Sequence, residues 1–156
     1  MANEIMDINK EDERLMREAL KEAKKAFEMD EVPIGAVIVC DGIIIARAFN
    51  YTEHLNDVTA HAEMQAITSA ANNLGGKYLP ECTLYVTIEP CIMCAGALFW
   101  AQIGRIVYGA SDPKRGYSMI GNQLLHPRTK ISKGILEEEC SQLMKTFFEE
   151  KRREGK

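Results

Sequence analysis

Two short segments carry residue types at spacings that suit chemistry: His61-Ala62-Glu63 and Pro90-Cys91-Ile92-Met93-Cys94. Cys91 and Cys94 are three residues apart, so on the first turn of a helix both sulfurs face one point. His61 adds a nitrogen from a second helix start. One imidazole and two thiolates form a three-donor set suited to Zn²⁺, and a tetrahedral ion held by three protein donors keeps its fourth position for water, as catalytic sites do. Two thiolates neutralise the ion, and a proton lost from its water leaves the site at −1. Helix N-termini, each worth about half a positive charge, favour anionic groups at that place. Glu63 follows His61 by two residues. Side chains of a first helical turn lean toward the N-terminus, so its carboxyl group is expected beside the metal without ligating it.

Each motif alone has a plainer reading, C-x-x-C as a redox or structural pair and H-x-E as coincidence. Together, with Pro90 before the first cysteine, they match the H-x-E…P-C-x-x-C signature of zinc-dependent nucleobase deaminases. Cys40 and Cys82 in apolar runs and Cys140 on an apolar helix face read as buried structural thiols. Glu89 reads as a cap for the third helix before it reads as a second acid. His54 and His126 fall in polar stretches and are expected to be solvated, whereas Phe99 and Trp100 are expected in the core or at a subunit contact.

These groups need a scaffold. Met16, Leu20, Ala23 and Phe27 recur at helical spacing within Glu11–Met29. Ile34–Cys40 and Ile43–Phe49 are β-branched runs joined by Asp41-Gly42, a hairpin dipeptide. After a polar loop, 50–58, Thr59 is the expected N-cap of a helix over Ala60–Leu74, stopped by Gly75-Gly76. Cys82–Ile88 reads as a buried strand, Cys91–Gln102 as a third helix, Arg105–Ala110 as another strand and Leu136–Arg153 as an amphipathic closing helix. Strands alternating with helices after a hairpin predict an α/β sandwich whose later strands run parallel.

The chain has 156 residues, 46% hydrophobic and 27% charged, a composition that excludes disorder, collagen and coiled coil. Its length predicts one domain, 1–156. No run of about 18 apolar residues and no N-terminal hydrophobic stretch suggests a membrane span or a secretory signal. Five cysteines, an odd number, point to a reducing compartment. The net charge is −4, yet Arg105, Lys114, Arg115, Arg128, Lys130 and Lys133 face only Asp112 in their stretch, which carries +5 while the remainder carries −9. Such segregation predicts a basic face for nucleic acid, joined by Lys151-Arg152-Arg153.

In four strings the chain resembles the bacterial tRNA-specific adenosine deaminases of the cytidine-deaminase-like superfamily. These are Val32-Pro33-Ile34-Gly35-Ala36-Val37, Thr59-Ala60-His61-Ala62-Glu63, TLYVTIEPCIMCAGAL over 83–98 and RIVYGASDPKRG over 105–116. The zinc motif is common to the relatives, including guanine and cytosine deaminases, whereas the last string and the ending GILEEEC…FFEEKRR look like the tRNA branch. The resemblance implies a three-layer α/β/α sandwich with a mixed five-stranded sheet and flanking helices. It implies one Zn²⁺ per subunit held by His61, Cys91 and Cys94, with Glu63 shuttling protons, Asn50 hydrogen-bonding a flipped base and the Ala62 backbone N–H lining the same pocket. The implied reaction is hydrolytic deamination of adenosine to inosine at wobble position 34 of tRNA, by a cytoplasmic homodimer that grips the anticodon stem-loop. Val58 departs from the family's usual proline, and 117–123 follow its pattern loosely. The alternatives are a guanine or other free-nucleobase deaminase and, from another class, a nucleic-acid-binding module with a structural zinc.

Overall fold

The computed structural model describes residues 2–155, with side chains described from Asn9 onward. Five strands, β1 (Gly35–Cys40), β2 (Ile43–Phe49), β3 (Cys82–Ile88), β4 (Arg105–Ala110) and β5 (Lys130–Lys133), form one sheet in the order β2-β1-β3-β4-β5. The β1–β2 hairpin turns through Asp41 (φ 52°) and Gly42 (φ 75°), the paired positive φ values of a turn whose twist matches its strands. β1 lies antiparallel to both β2 and β3, whereas β3, β4 and β5 run parallel. The helices are α1 (Ala2–Glu28), α2 (Thr52–Leu55), α3 (Ala62–Leu74), α4 (Ile92–Ala101) and α5 (Glu137–Glu154).

Alternation along the central strands decides which helix covers which face. Ala36, Ile38, Leu84, Val86, Ile106 and Tyr108 pack with Ala62, Ala66 and Ala70 of α3 and Ala95 and Leu98 of α4. Val37, Val39, Tyr85 and Val107 point the other way, onto Leu15, Met16, Ala19 and Leu20 of α1 and Cys140 of α5. The architecture is therefore the three-layer α/β/α sandwich with a mixed five-stranded sheet. Two glycines allow the outer layer to approach closely. A Cβ on Gly35 would overlap the α1 backbone at Ala19 and Ala23, and one on Gly109 would overlap the Cys140 sulfur. Burial also pushes the Cys82 and Cys140 thiols up to about 12, as expected for inert core cysteines.

Four local features differ from the sequence expectation. The first helix starts nine residues before Glu11. Thr59 does not cap α3; its N–H and hydroxyl both bond Asp57 Oδ1, at 2.8 and 2.7 Å, and the helix begins only at Ala62. The intervening chain is held extended because Tyr51 N–H donates to Ala60 C=O at 3.0 Å. The polar loop 50–58 contains the single helical turn α2, and β5 is a four-residue strand with no apolar signature of its own. Among the described residues no helix is long and apolar enough to cross a membrane.

Candidate metal and catalytic site

His61 and Cys91 are the N-cap residues of α3 and α4, each with extended backbone (φ −70°, ψ 155° and φ −74°, ψ 175°), and Cys94 lies one turn into α4. The two helices lie on the same sheet face with their N-terminal ends adjacent. Neither residue's side chain makes a capping hydrogen bond, and ring and sulfur face each other. His61 Nδ1 stands 3.6 Å from Cys91 Sγ and 3.5 Å from Cys94 Sγ, and the three donor atoms lie within 4.8 Å of one another. A tetrahedral ion with Zn–S of about 2.3 Å and Zn–N of about 2.0 Å sets its sulfur and nitrogen ligands about 3.5 Å apart. The donor chemistry and the spacing therefore fit Zn²⁺.

One hydrogen bond couples the Cys91 and Cys94 thiols. The Cys94 S–H and the His61 ring pull Cys91 down to about 4 against the effect of burial. The same hydrogen bond, together with burial, pushes Cys94 up. Glu63, in the first turn of α3, is 3% exposed, and burial pushes its carboxyl up to about 7. A carboxyl with that affinity both accepts and returns a proton near neutral pH.

Asn50, at the end of β2, is 6% exposed. Its Nδ2 donates to Val32 C=O at 3.3 Å, while Oδ1 is buried with no partner. Asn50, Ala62 and Glu63 line one cavity of about 730 Å³ together with His61 and Cys91. Ala62 is the first residue of α3, so its N–H has no partner within the helix. An open acceptor and an open donor thus lie beside the metal-donor group.

The rest of this cavity was not legible from the motifs. Ser141, Met144, Lys145, Phe148 and Arg152, a stripe along α5, form its far wall. The signal was present as a second helical stripe at i, i+3, i+4, i+7 and i+11, beside the apolar stripe that buries Cys140 and Phe147. Lys114 and Arg115 reach the same cavity from the loop after β4, so that the exposed cations Lys114, Arg115, Lys145 and Arg152 line it together with the acids Asp112 and Glu149.

The +5 stretch does not make a single face. Lys114 and Arg115 lie at the metal end of the parallel strands, whereas Arg128 and Lys130 line a second cavity of about 390 Å³ at the opposite end. Arg105 is already spent on Asp12, which it contacts at 2.9 and 2.7 Å, and Lys151 pairs with Asp30. Sequence distance along a sheet says nothing about which end a residue occupies.

Two acids take roles the sequence did not suggest. Glu31 is fully buried and accepts the backbone N–H groups of Glu53 and His54, at 3.0 and 2.8 Å, and the His54 ring at 2.7 Å. Burial raises its carboxyl, but those hydrogen bonds outweigh burial and hold it below its ordinary range. It thereby anchors α2; His54 is exposed, as expected, but its ring is held by Glu31 and stacked on Tyr51 at 4.8 Å. Glu89 does not cap α4; it lines the same cavity, and its carboxylate bonds the loop after β4. Trp100 is 76% exposed on α4.

Residues 9–110 match the model of the family described as the cytidine and deoxycytidylate deaminase zinc-binding region. A tRNA-specific adenosine deaminase of Agrobacterium fabrum is 49% identical over 142 residues, covering 88% of this chain and 93% of the relative. A solved structure from a study of A-to-I editing by tRNA:A34 deaminases superposes with a TM-score of 0.78 at 46% identity, covering 83% of this chain and 98% of its own. A guanine deaminase of Bacillus subtilis superposes with a TM-score of 0.61 at 42% identity, covering 64% of each chain.

Proposed function

This chain belongs to the cytidine and deoxycytidylate deaminase zinc-binding family, and on that premise we propose that it hydrolytically deaminates adenosine to inosine at position 34 of tRNA. The observation that carries this reading is a buried carboxyl, Glu63, beside a three-donor group spaced for a tetrahedral ion, in a cavity whose exposed rim presents Lys114, Arg115, Lys145 and Arg152.

His61, Cys91 and Cys94 would hold one Zn²⁺ per subunit, which when bound lowers the pKa of a water to about 7. Glu63 takes a proton from the attacking water and delivers it to the purine ring nitrogen. Once the C6–O bond has formed, the same carboxyl takes the second proton from the hydroxyl now on C6 and passes it to the amino group; the C6–N bond breaks, ammonia leaves and C6 becomes the carbonyl carbon of inosine. Burial of Glu63 is what makes one group serve as base and then acid. Asn50 Oδ1 and the Ala62 N–H receive the extruded base, and the cations at the rim meet phosphates of an anticodon stem-loop. We take 1–156 as one deaminase domain acting in the cytoplasm, where tRNA is found.

A homodimer fits the outer face of α4. Ile92, Gly96 and Trp100 form a stripe at i, i+4 and i+8; Ile92 is 45% exposed, and a Cβ on Gly96 would meet nothing within 4 Å. A second copy would cover it.

The second reading is deamination of free guanine, favoured by the guanine deaminase that superposes on this chain. Zinc-loaded protein given an anticodon stem-loop with A34, and separately free guanine, distinguishes the two by product nucleoside analysis. Inosine from the stem-loop, with affinity falling steeply as salt rises, is expected. Xanthine from guanine, with the stem-loop untouched, overturns the reading.

A further inference from the structure

Glu89 follows β3 and precedes Pro90 and Cys91, yet its carboxylate is given wholly to another segment. Oε1 accepts the Asp112 N–H at 3.1 Å; Oε2 accepts the Ser118 N–H at 3.0 Å and the Ser118 hydroxyl at 2.7 Å. Asp112 continues the chain of bonds, since its Oδ1 accepts the N–H groups of Lys114 at 3.2 Å and Arg115 at 3.1 Å. The main chain is tied at the same place. Tyr117 N–H donates to Pro90 C=O at 2.9 Å, and Gly116 forms a bridge with Cys91. Gly116 is required there, because a Cβ would overlap the Glu89 carboxyl group. The turn that presents two cations to the cavity is therefore fastened at both ends to one buried carboxylate, next to a residue of the metal-donor group.

We propose that Glu89 is a positioning residue for polynucleotide substrate: it sets Lys114 and Arg115 against the rim of the cavity and takes no part in proton transfer. The inference rests on the tRNA reading above. A carboxylate suits the task because three donors converge on it and charge-assisted bonds are about twice as strong as neutral ones. An amide has one acceptor oxygen, and its NH₂ would face either the Asp112 N–H or the Ser118 pair, releasing one end of the turn.

The test is steady-state deamination of an anticodon stem-loop by zinc-loaded Glu89→Gln and Ser118→Ala, alone and combined with Lys114→Ala/Arg115→Ala. Glu89→Gln should raise KM about tenfold with kcat within about threefold, and Ser118→Ala should do the same more weakly. Zinc should stay at about one per chain. The slope of log K against log salt should fall by about 0.7 to 0.9 for each phosphate that the displaced cations leave unneutralised. Added to the Lys114→Ala/Arg115→Ala background, Glu89→Gln should cost less than about twofold, since the groups it positions are gone. A kcat loss of about a hundredfold at unchanged KM makes Glu89 a participant in the chemistry and overturns the inference. So do costs that multiply fully in the combined variant, or Ser118→Ala indistinguishable from wild type when Glu89→Gln fails to fold. Wild-type protein that ignores the stem-loop and turns over guanine overturns the tRNA reading itself.

Discussion

Arg105→Ala separates the role the structure assigns to this residue from the one its position in a basic stretch suggests. Its guanidinium grips both oxygens of Asp12 at 2.9 and 2.7 Å and reaches Ser132 Oγ at 2.9 Å, and the Tyr85 hydroxyl donates to the same carboxylate at 2.7 Å. Asp12 is 2% exposed, so truncating Arg105 leaves a buried charge with one neutral donor. Removing one partner of a buried pair costs about 3–5 kcal/mol. The Arg105 side chain is 24% exposed, so water reaches part of the space it vacates. We therefore expect a loss of about 2–4 kcal/mol, or roughly 5–15 °C in Tm for a chain of this size. Urea denaturation of the zinc-loaded protein should show a lower midpoint with unchanged m. Replacing both partners, Asp12→Asn with Arg105→Met, should recover at least about half of the loss because no unpaired charge remains. The salt slope of RNA binding should not change. A variant within about 0.5 kcal/mol of wild type whose RNA salt slope drops by about 0.7 to 0.9 would refute the reasoning and return Arg105 to the phosphate contacts.

Glu63→Gln should retain fold and zinc but lose about 10²–10⁴-fold in turnover, since an amide cannot exchange the proton; activity within about tenfold of wild type rules out the shuttle. Cys91→Ala should bind far less than one zinc per chain by elemental analysis, and full zinc occupancy would exclude it as a ligand. Glu31 has its carboxyl held below the ordinary 4.5, so its contribution is complete above that pH and is lost as pH falls through the folded value. Glu31→Gln should cost about 1–3 kcal/mol at pH 7 and less at pH 3, measured by urea midpoints; an equal loss at both would show that the charge is not what stabilises α2. Trp100→Glu should convert a dimer to a 17.5 kDa species in equilibrium sedimentation, and an unchanged dimer would move the interface off α4.

The layers and the convergence of Cys91 with Cys94 were legible in the sequence because both follow from short-range rules. Near-continuous apolar runs in 34–40, 82–88 and 105–110 suit strands buried on both faces. Cys91 and Cys94, three apart at a helix start, converge by helix geometry alone, whereas His61 joins them only because α3 and α4 pack with their N-terminal ends adjacent. Burial of Cys82 and Cys140 followed in the same way from apolar neighbours. What the tertiary structure alone decided depends on which strand lies beside which. The edge strand β5, Lys130–Lys133, has little pattern of its own and exists because the β4 backbone offers it hydrogen bonds. Arg105 stands among cations in the chain but beside Asp12 of α1 in space. Glu31 and Glu89 look like surface acids until packing removes their water, and each then persists only because backbone N–H groups from a distant loop replace it. A local pattern fixes what a residue is able to do; the partner that burial leaves it fixes what it does.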